Sequence, residues 1–195
     1  MIILASNSPR RREILADLGV EFRVLSADTD ESCDITDPVL FAEELARRKG
    51  EAAYRLLVDT EGEELAREAV IISADTVVAA EGEILGKPRD VSDARRMLSL
   101  LSGRTHNVIT GIGITAQGVT HLSHSNTKVV VDSIPEDEID RYIASGDPMD
   151  KAGAYGIQSG GGKFVLKYDG DFDTVVGLSV SLTERLIREA QNDKN

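Results

Sequence analysis

The spacing of apolar positions changes repeatedly along the chain, and each change predicts an element. Residues 2–5 form a short apolar run that reads as a buried strand, followed by Ser6-Asn7-Ser8-Pro9-Arg10. Ile14, Leu15 and Leu18 then recur at helical spacing up to Gly19, with Ser8 suited to the N-cap and Pro9 to the first helical position. Residues 22–26 predict a second strand and Asp28-Thr29-Asp30-Glu31 an acidic loop. A long helix is expected over 38–57, with Phe41, Leu45, Ala52 and Leu56 on its apolar face, and a polar helical excursion over 61–68. Residues 70–80 are almost continuously apolar, as in a strand covered on both faces.

Further on, Glu81-Gly82-Glu83 reads as a turn into the loop Gly86-Lys87-Pro88-Arg89-Asp90, and Ser92 is expected to cap a helix through Leu101. Residues 106–115 and 119–131 flank Gln117-Gly118 as a hairpin. Pro135 opens a helix with acids in its first turn, closed by Gly146. A glycine-rich loop over 150–162 precedes short strands at 164–167 and 174–176 and a final helix over 182–190. Interleaved strands and helices with an antiparallel pair inside them predict an α/β fold, a mixed sheet with flanking helices, in one domain spanning 1–195. At this length roughly 70% of the unfolded surface is buried on folding, so no staple is required. The single cysteine, Cys33, excludes an intrachain disulfide and zinc-finger spacing. The apolar run before Arg10-Arg11-Arg12 is too short for a signal peptide, and no stretch reaches the ~20 apolar residues of a membrane span, so a cytoplasmic protein is expected.

Charge narrows the partners. Thirty-four acids against 22 bases leave a net charge of −12, which disfavours a nucleic acid polymer. The bases cluster nevertheless, at Arg10-Arg11-Arg12, Arg47-Arg48-Lys49, Lys87 with Arg89, and Arg95-Arg96. Such clusters suit either a small phosphorylated ligand or a solvated surface. Three motifs are set aside as structural. Gly111-Ile112-Gly113 satisfies a loose dinucleotide fingerprint inside a strand with no helix after it. Gly160-Gly161-Gly162-Lys163 lacks the first glycine and the final hydroxyl of a phosphate loop. His121 and His124, three apart on a strand, point to opposite faces.

Three features carry chemistry. Arginines in the first turn of a helix oppose its macrodipole unless an anion is bound there, and the free N–H groups of that turn are themselves an anion site. Asp75, inside an apolar strand, is costly to bury unpaired and is expected at a strand end or bulge beside a metal or a cation. Lys49 follows Phe41 and Leu45 at intervals of four, so it either snorkels from the apolar face or points into a site. Lys87 lies in a rigid Gly-Lys-Pro turn suited to a phosphate.

Ser6-x-Ser8-Pro9-Arg10-Arg11, Ala74-Asp75-Thr76-Val77, Gly86-Lys87-Pro88, Ser102-Gly103-x-Thr105-His106 and Asp150-Lys151-Ala152-Gly153-Ala154-Tyr155-Gly156-Ile157-Gln158 together resemble the motif series of the Maf-like nucleotide pyrophosphatases, in the family's order. The departures are Ser159-Gly160-Gly161 where Gly-Leu-Gly is more usual, Ser179 in place of a proline, and an insertion around 60–68. The resemblance implies an elongated, two-lobed fold with a central cleft, often a homodimer. It also implies hydrolysis of a nucleoside triphosphate to the monophosphate and pyrophosphate with Mg²⁺ or Mn²⁺. On it, Asp75 is the expected general base, with Glu31 and Asp75 as metal ligands. Lys49 and Lys87 act on the phosphates, Ser8, Arg10 and Arg11 bind them, and Thr76 and Gln158 read the base. Arg10, Thr76 and Gln158 match the dTTP and UTP pattern of the family, whereas Trp, Gln and Glu at those places go with 7-methyl-GTP. The alternatives are a nucleotide-binding regulator of cell division or septum formation without turnover, and a purine (7-methyl-GTP, ITP or XTP) pyrophosphatase.

Overall fold

A computed structural model describes residues 1–192. Among the described residues, seven strands form one mixed sheet accompanied by seven α-helices, the α/β class that the alternating pattern predicts. The strands are β1 (Ile2–Leu4), β2 (Phe22–Val24), β3 (Val70–Ala80), β4 (Glu83–Leu85), β5 (Thr105–Ala116), β6 (Val119–Val131) and β7 (Val165–Asp169). The helices are α1 (Pro9–Asp17), α2 (Pro38–Glu61), α3 (Glu63–Glu68), α4 (Val91–Leu101), α5 (Glu136–Ala144), α6 (Phe172–Val176) and α7 (Val180–Asn192). The strand order is β2-β1-β3-β5-β6-β7, with β4 paired to β3 off that path.

The described residues divide into two compact units, one of residues 1–75, 110–125 and 177–192 and the other of residues 76–109 and 126–176. In the first, β1 pairs in parallel with β2 and with β3, Ile3 opposite Arg23 and Ile71. Its core gathers Ile3, Ala53, Leu57, Ala66 and Ile71. In the second, β4 and β7 run antiparallel to β3 and β6, over a core of Val78, Leu98, Leu101, Val129, Ile139, Tyr155 and Phe164.

Helix α2 presents a different face from the one its large residues suggest. Ala42, Leu45, Ala46, Gly50, Ala53 and Leu57 are buried, whereas Phe41, Ala52 and Leu56 lie at the flanks. The reason is close approach. A Cβ on Gly50 would lie 2.6 Å from Thr115 Oγ1 and 2.8 Å from Ser73 Oγ, and one on Gly111 would lie 2.4 Å from the Ala42 carbonyl. A helix lying this near the sheet admits only small residues at the contact. The glycines of the rejected dinucleotide fingerprint are therefore packing residues.

Three local expectations need correction. The helix over 91–101 is capped by Asp90, whose carboxylate accepts the Asp93 N–H at 2.8 Å, and not by Ser92; the Ser92 hydroxyl donates to Asp90 instead. Residues 174–176 belong to α6 rather than to a strand, because Asp171 Oδ1 accepts the Asp173 N–H and starts a helical turn. Glu83–Leu85 is a strand where the pattern showed only a turn; three residues are too few for a period to register. Ser8 occupies the N-cap position of α1 without a side-chain capping bond. Among the described residues, no helix is long and apolar enough to cross a membrane.

Candidate active site

In the first unit the chain concentrates opposite charges around Lys49. Its Nζ lies 2.6 Å from Asp75 Oδ1 and 2.8 Å from Glu31 Oε1. Asp75 sits in the middle of β3, not at a strand end, and is 8% exposed. The strand tolerates the carboxylate there because Lys49, delivered one turn beyond Leu45 on α2, supplies the countercharge. Glu31 is exposed and reaches the same ammonium from an irregular loop. That loop is held by Arg48, whose Nη1 donates to the carbonyls of Asp30 at 3.0 Å and Ser32 at 2.7 Å, on either side of Glu31.

The basic run over 47–49 thus separates into three tasks. Arg47 bonds Glu44 and Glu51 along α2, Arg48 bonds Glu44 and fixes the loop, and Lys49 alone goes to Asp75 and Glu31. Hydrogen bonds from Arg47 and Arg48 hold the Glu44 carboxyl down at about 2. Residue spacing left Lys49 open between snorkelling and pointing into a site, and gave no sign of the Arg48 contact, which spans a loop of irregular backbone.

The N-terminal segment is tied to the end of the chain. Arg11 Nε donates to the Gly177 carbonyl at 2.8 Å and Nη1 to Ser6 Oγ at 3.1 Å, while the same Ser6 oxygen accepts the Ser8 N–H at 3.2 Å. Arg12 turns outward to the Asn7 carbonyl, and Arg10 is half-buried. Burial lowers the Arg11 pKa, with Arg10 adding to the effect, while the charges of Asp75 and Glu31 act in the opposite direction. The Asp75 carboxyl is raised above its ordinary value by burial and by Glu31, against the pull of Lys49 and Arg11. Glu31, Lys49, Asp75, Arg11 and Ser6 therefore form one electrostatic unit. Ser6, which the sequence presents only as part of its motif and with no role, and the Gly177 carbonyl are its fixed points.

The remaining sequence-predicted residues belong to the second unit. Thr76 is half-buried in β3, whereas Lys87 and Gln158 are exposed. The Gly86 carbonyl accepts the Gly153 N–H at 3.0 Å, so the loop bearing Lys87 is tied to the segment that leads to Gln158. His106 is buried, its Nε2 2.8 Å from Tyr155 Oη and its ring edge-on to the tyrosine, while its Nδ1 has no hydrogen-bond partner. Burial pushes the imidazole down to about 4, so it is neutral at physiological pH. The motif around His106 thus anchors Tyr155, three residues before Gln158.

The donor set suits a hard divalent cation that takes its other ligands from phosphates. Two carboxylates converge on one ammonium, and Mg²⁺ sites of this kind use one or two carboxylates with substrate oxygens. Among the described residues, no group of three or more His, Cys, Asp or Glu could hold a metal unaided.

The chain matches the family model described as "Maf-like protein" over residues 1–190. It is 47% identical over 189 residues to a "dTTP/UTP pyrophosphatase" of Chromobacterium violaceum, covering 96% of this chain and 93% of that one. It is 46% identical over 186 residues to one of Thermococcus kodakarensis, covering 95% of each. With the Vibrio cholerae protein of the same name it shares 42% identity over 189 residues, 96% of this chain and 97% of that one. A solved structure of the Staphylococcus aureus Ham1 protein aligns with a TM-score of 0.47 at 16% identity, over 98% of this chain and 94% of that one.

Proposed function

Because this chain belongs to the Maf-like family, we propose that it is a nucleoside triphosphate pyrophosphatase that prefers dTTP and UTP. Water attacks the triphosphate, the anhydride bond between the α and β phosphorus atoms breaks, and nucleoside monophosphate and pyrophosphate leave. The observation that carries this reading is the buried Asp75 carboxylate held 2.6 Å from Lys49 with Glu31 on the same ammonium.

Asp75 takes the proton from the attacking water. Burial raises its pKa, which makes it a stronger base than an exposed aspartate, while the charges of Lys49 and Arg11 favour its ionised form. Arg11 and Lys49, fixed in advance by Ser6, Gly177 and Asp75, meet the charge that develops on the phosphoryl oxygens. Ser8 and Arg10 at the start of α1 extend that cationic, N–H-rich end toward the phosphates. Lys87 contributes a further cation from its proline-bounded turn. Glu31 and Asp75 would hold a divalent cation, Mg²⁺ or Mn²⁺, which would supply neutralisation of phosphate charge. Thr76 and Gln158 select the base, since a glutamine amide offers both the donor and the acceptor that the carbonyl and N–H edge of uracil or thymine requires.

The test is pyrophosphate release from UTP, dTTP, GTP and 7-methyl-GTP under one metal condition. Highest specificity constants for UTP and dTTP support the reading. A guanine nucleotide preferred over both overturns the base assignment, and no release from any of the four overturns the enzyme.

A further inference from the structure

The glycine-rich segment that fails as a phosphate loop closes instead around one carboxylate. Asp147, in the 3-10 turn Asp147–Asp150 after α5, accepts through Oδ2 from the Tyr142 and Ser159 hydroxyls, each at 2.7 Å. Its Oδ1 accepts from Lys151 Nζ at 3.0 Å. The Tyr142 oxygen in turn accepts the Gly156 N–H at 3.2 Å. Lys151 spends its three N–H groups inside the same turn, on the carbonyl of Asp147 at 2.6 Å and the carboxylates of Asp147 and Asp150. It is a structural cation, with no donor left over for a phosphate.

Packing makes the closure tight. A Cβ on Gly156 would lie 2.5 Å from Ser159 Oγ and 2.6 Å from Lys151 Cε, and one on Gly161 would lie 2.8 Å from Tyr142 Oη. A Cβ on Gly162 would lie 2.3 Å from the Ile157 carbonyl. The glycines are there so that the segment can fold onto Tyr142 and onto itself. Burial pushes the Asp147 carboxyl up, but the two hydroxyls and Lys151 more than offset it and keep it ionised. The result places Gln158, an exposed side chain, between two anchors, Gly156 and Ser159, that lead to the same carboxylate.

We propose that Asp147, acting through Ser159 and through the Tyr142–Gly156 bond, is a positioning residue that fixes Gln158 for base discrimination. This rests on the reading of Gln158 as the residue that meets the base. Uracil and cytosine present reversed donor and acceptor groups at the 4-position and at N3. A side-chain amide held at one place matches one edge and leaves buried polar groups unpaired against the other, which is what makes such sites selective. An amide on a loosened segment shifts and turns over to match either edge, so selectivity falls before turnover does.

The experiment compares kcat/KM for UTP and CTP in the wild-type protein, Ser159→Ala, Ser159→Thr and Gln158→Ala, with thermal melts of each. Ser159 is exposed, so its replacement leaves the core intact. The expected result is a UTP-to-CTP ratio reduced roughly tenfold in Ser159→Ala, about the worth of one hydrogen bond to a charged acceptor. The loss should appear mainly in KM for UTP, with the ratio retained in Ser159→Thr, which keeps the hydroxyl. An unchanged ratio in Ser159→Ala beside a collapsed ratio in Gln158→Ala overturns the positioning role and leaves the base reading standing. A ratio lost equally in Ser159→Thr also overturns it. A ratio that Gln158→Ala does not alter removes the base reading itself, and the positioning proposal with it.

Discussion

Replacing Asp75 by asparagine should move stability and turnover in opposite directions. Burial raises the Asp75 carboxyl above its ordinary value despite Lys49 and Arg11. The native state then holds the proton more readily than the unfolded chain does, so at neutral pH the ionised carboxylate costs stability. The cost begins to shrink as pH falls below the raised native pKa and is gone only below the ordinary carboxylate value of 3.8. Asparagine removes the charge and keeps an oxygen for Lys49 Nζ, which also retains Glu31 at 2.8 Å. Removing one partner of a buried pair costs about 3–5 kcal/mol where the other charge is left stranded. Glu31 stays on Lys49 and prevents that, so the net effect is a gain at the lower end of the range for neutral replacement, about 1 kcal/mol. In a chain of this size that is a rise in Tm of about 2–4 °C. Turnover should fall by about 10²–10⁴, the contribution of a general base. The assay is calorimetry of both proteins from pH 8 to pH 5, with pyrophosphate release measured alongside. Asparagine should melt higher at pH 8, and the gap should narrow with acidification. A lower Tm for the variant at pH 8 would mean that the attraction of Lys49 exceeds the burial cost, which refutes the stability argument. Full turnover in the folded variant would remove Asp75 as the base.

Lys49→Met should destabilise the fold by about 3–5 kcal/mol at neutral pH, because it strands the Asp75 carboxylate, and acidification should restore part of the loss; a pH-independent Tm difference would contradict this. Chelation with excess EDTA should abolish turnover and Mg²⁺ or Mn²⁺ should restore it, whereas undiminished release from a metal-free preparation rules the metal out. Gly111→Ala forces a Cβ to within 2.4 Å of the α2 backbone and should lower stability by about 1–3 kcal/mol; an unchanged Tm would mean that the helix can retreat freely. His106, with its pKa depressed from 6.5 to about 4, binds its proton in the unfolded chain first. Stability should therefore drop by about 3 kcal/mol as pH falls from 6.5 to 4, and His106→Gln should lose less over that window in denaturant titrations.

What the residue pattern disclosed depended on how local each interaction is. The bounds of β3 and β6 and the existence of α2 follow from long periodic runs, whereas β4 is too short to carry a period. On α2 the large residues Phe41 and Leu56 pointed to the wrong stripe, because the sheet lies close enough to select Ala42, Ala46, Gly50 and Ala53. Asp75 and Lys49 were legible as an exposed contradiction in the pattern, a carboxylate and an ammonium each placed on an apolar face. Neither one explains itself; together they satisfy one another at 2.6 Å, and that mutual need is what spacing along a helix or strand cannot express. The contacts of Ser6, Arg48 and the Gly177 carbonyl were invisible for the same reason, since each acts through partners that lie across irregular backbone or at the far end of the chain. Asp147 shows the limit most clearly. In the pattern it is one of many acids after a helix, yet three donors from three segments give it a defined place beside Gln158. A buried or half-buried charge in this chain marks a constraint that the apolar pattern leaves open, and the partners that satisfy it tell which segments the site needs held still.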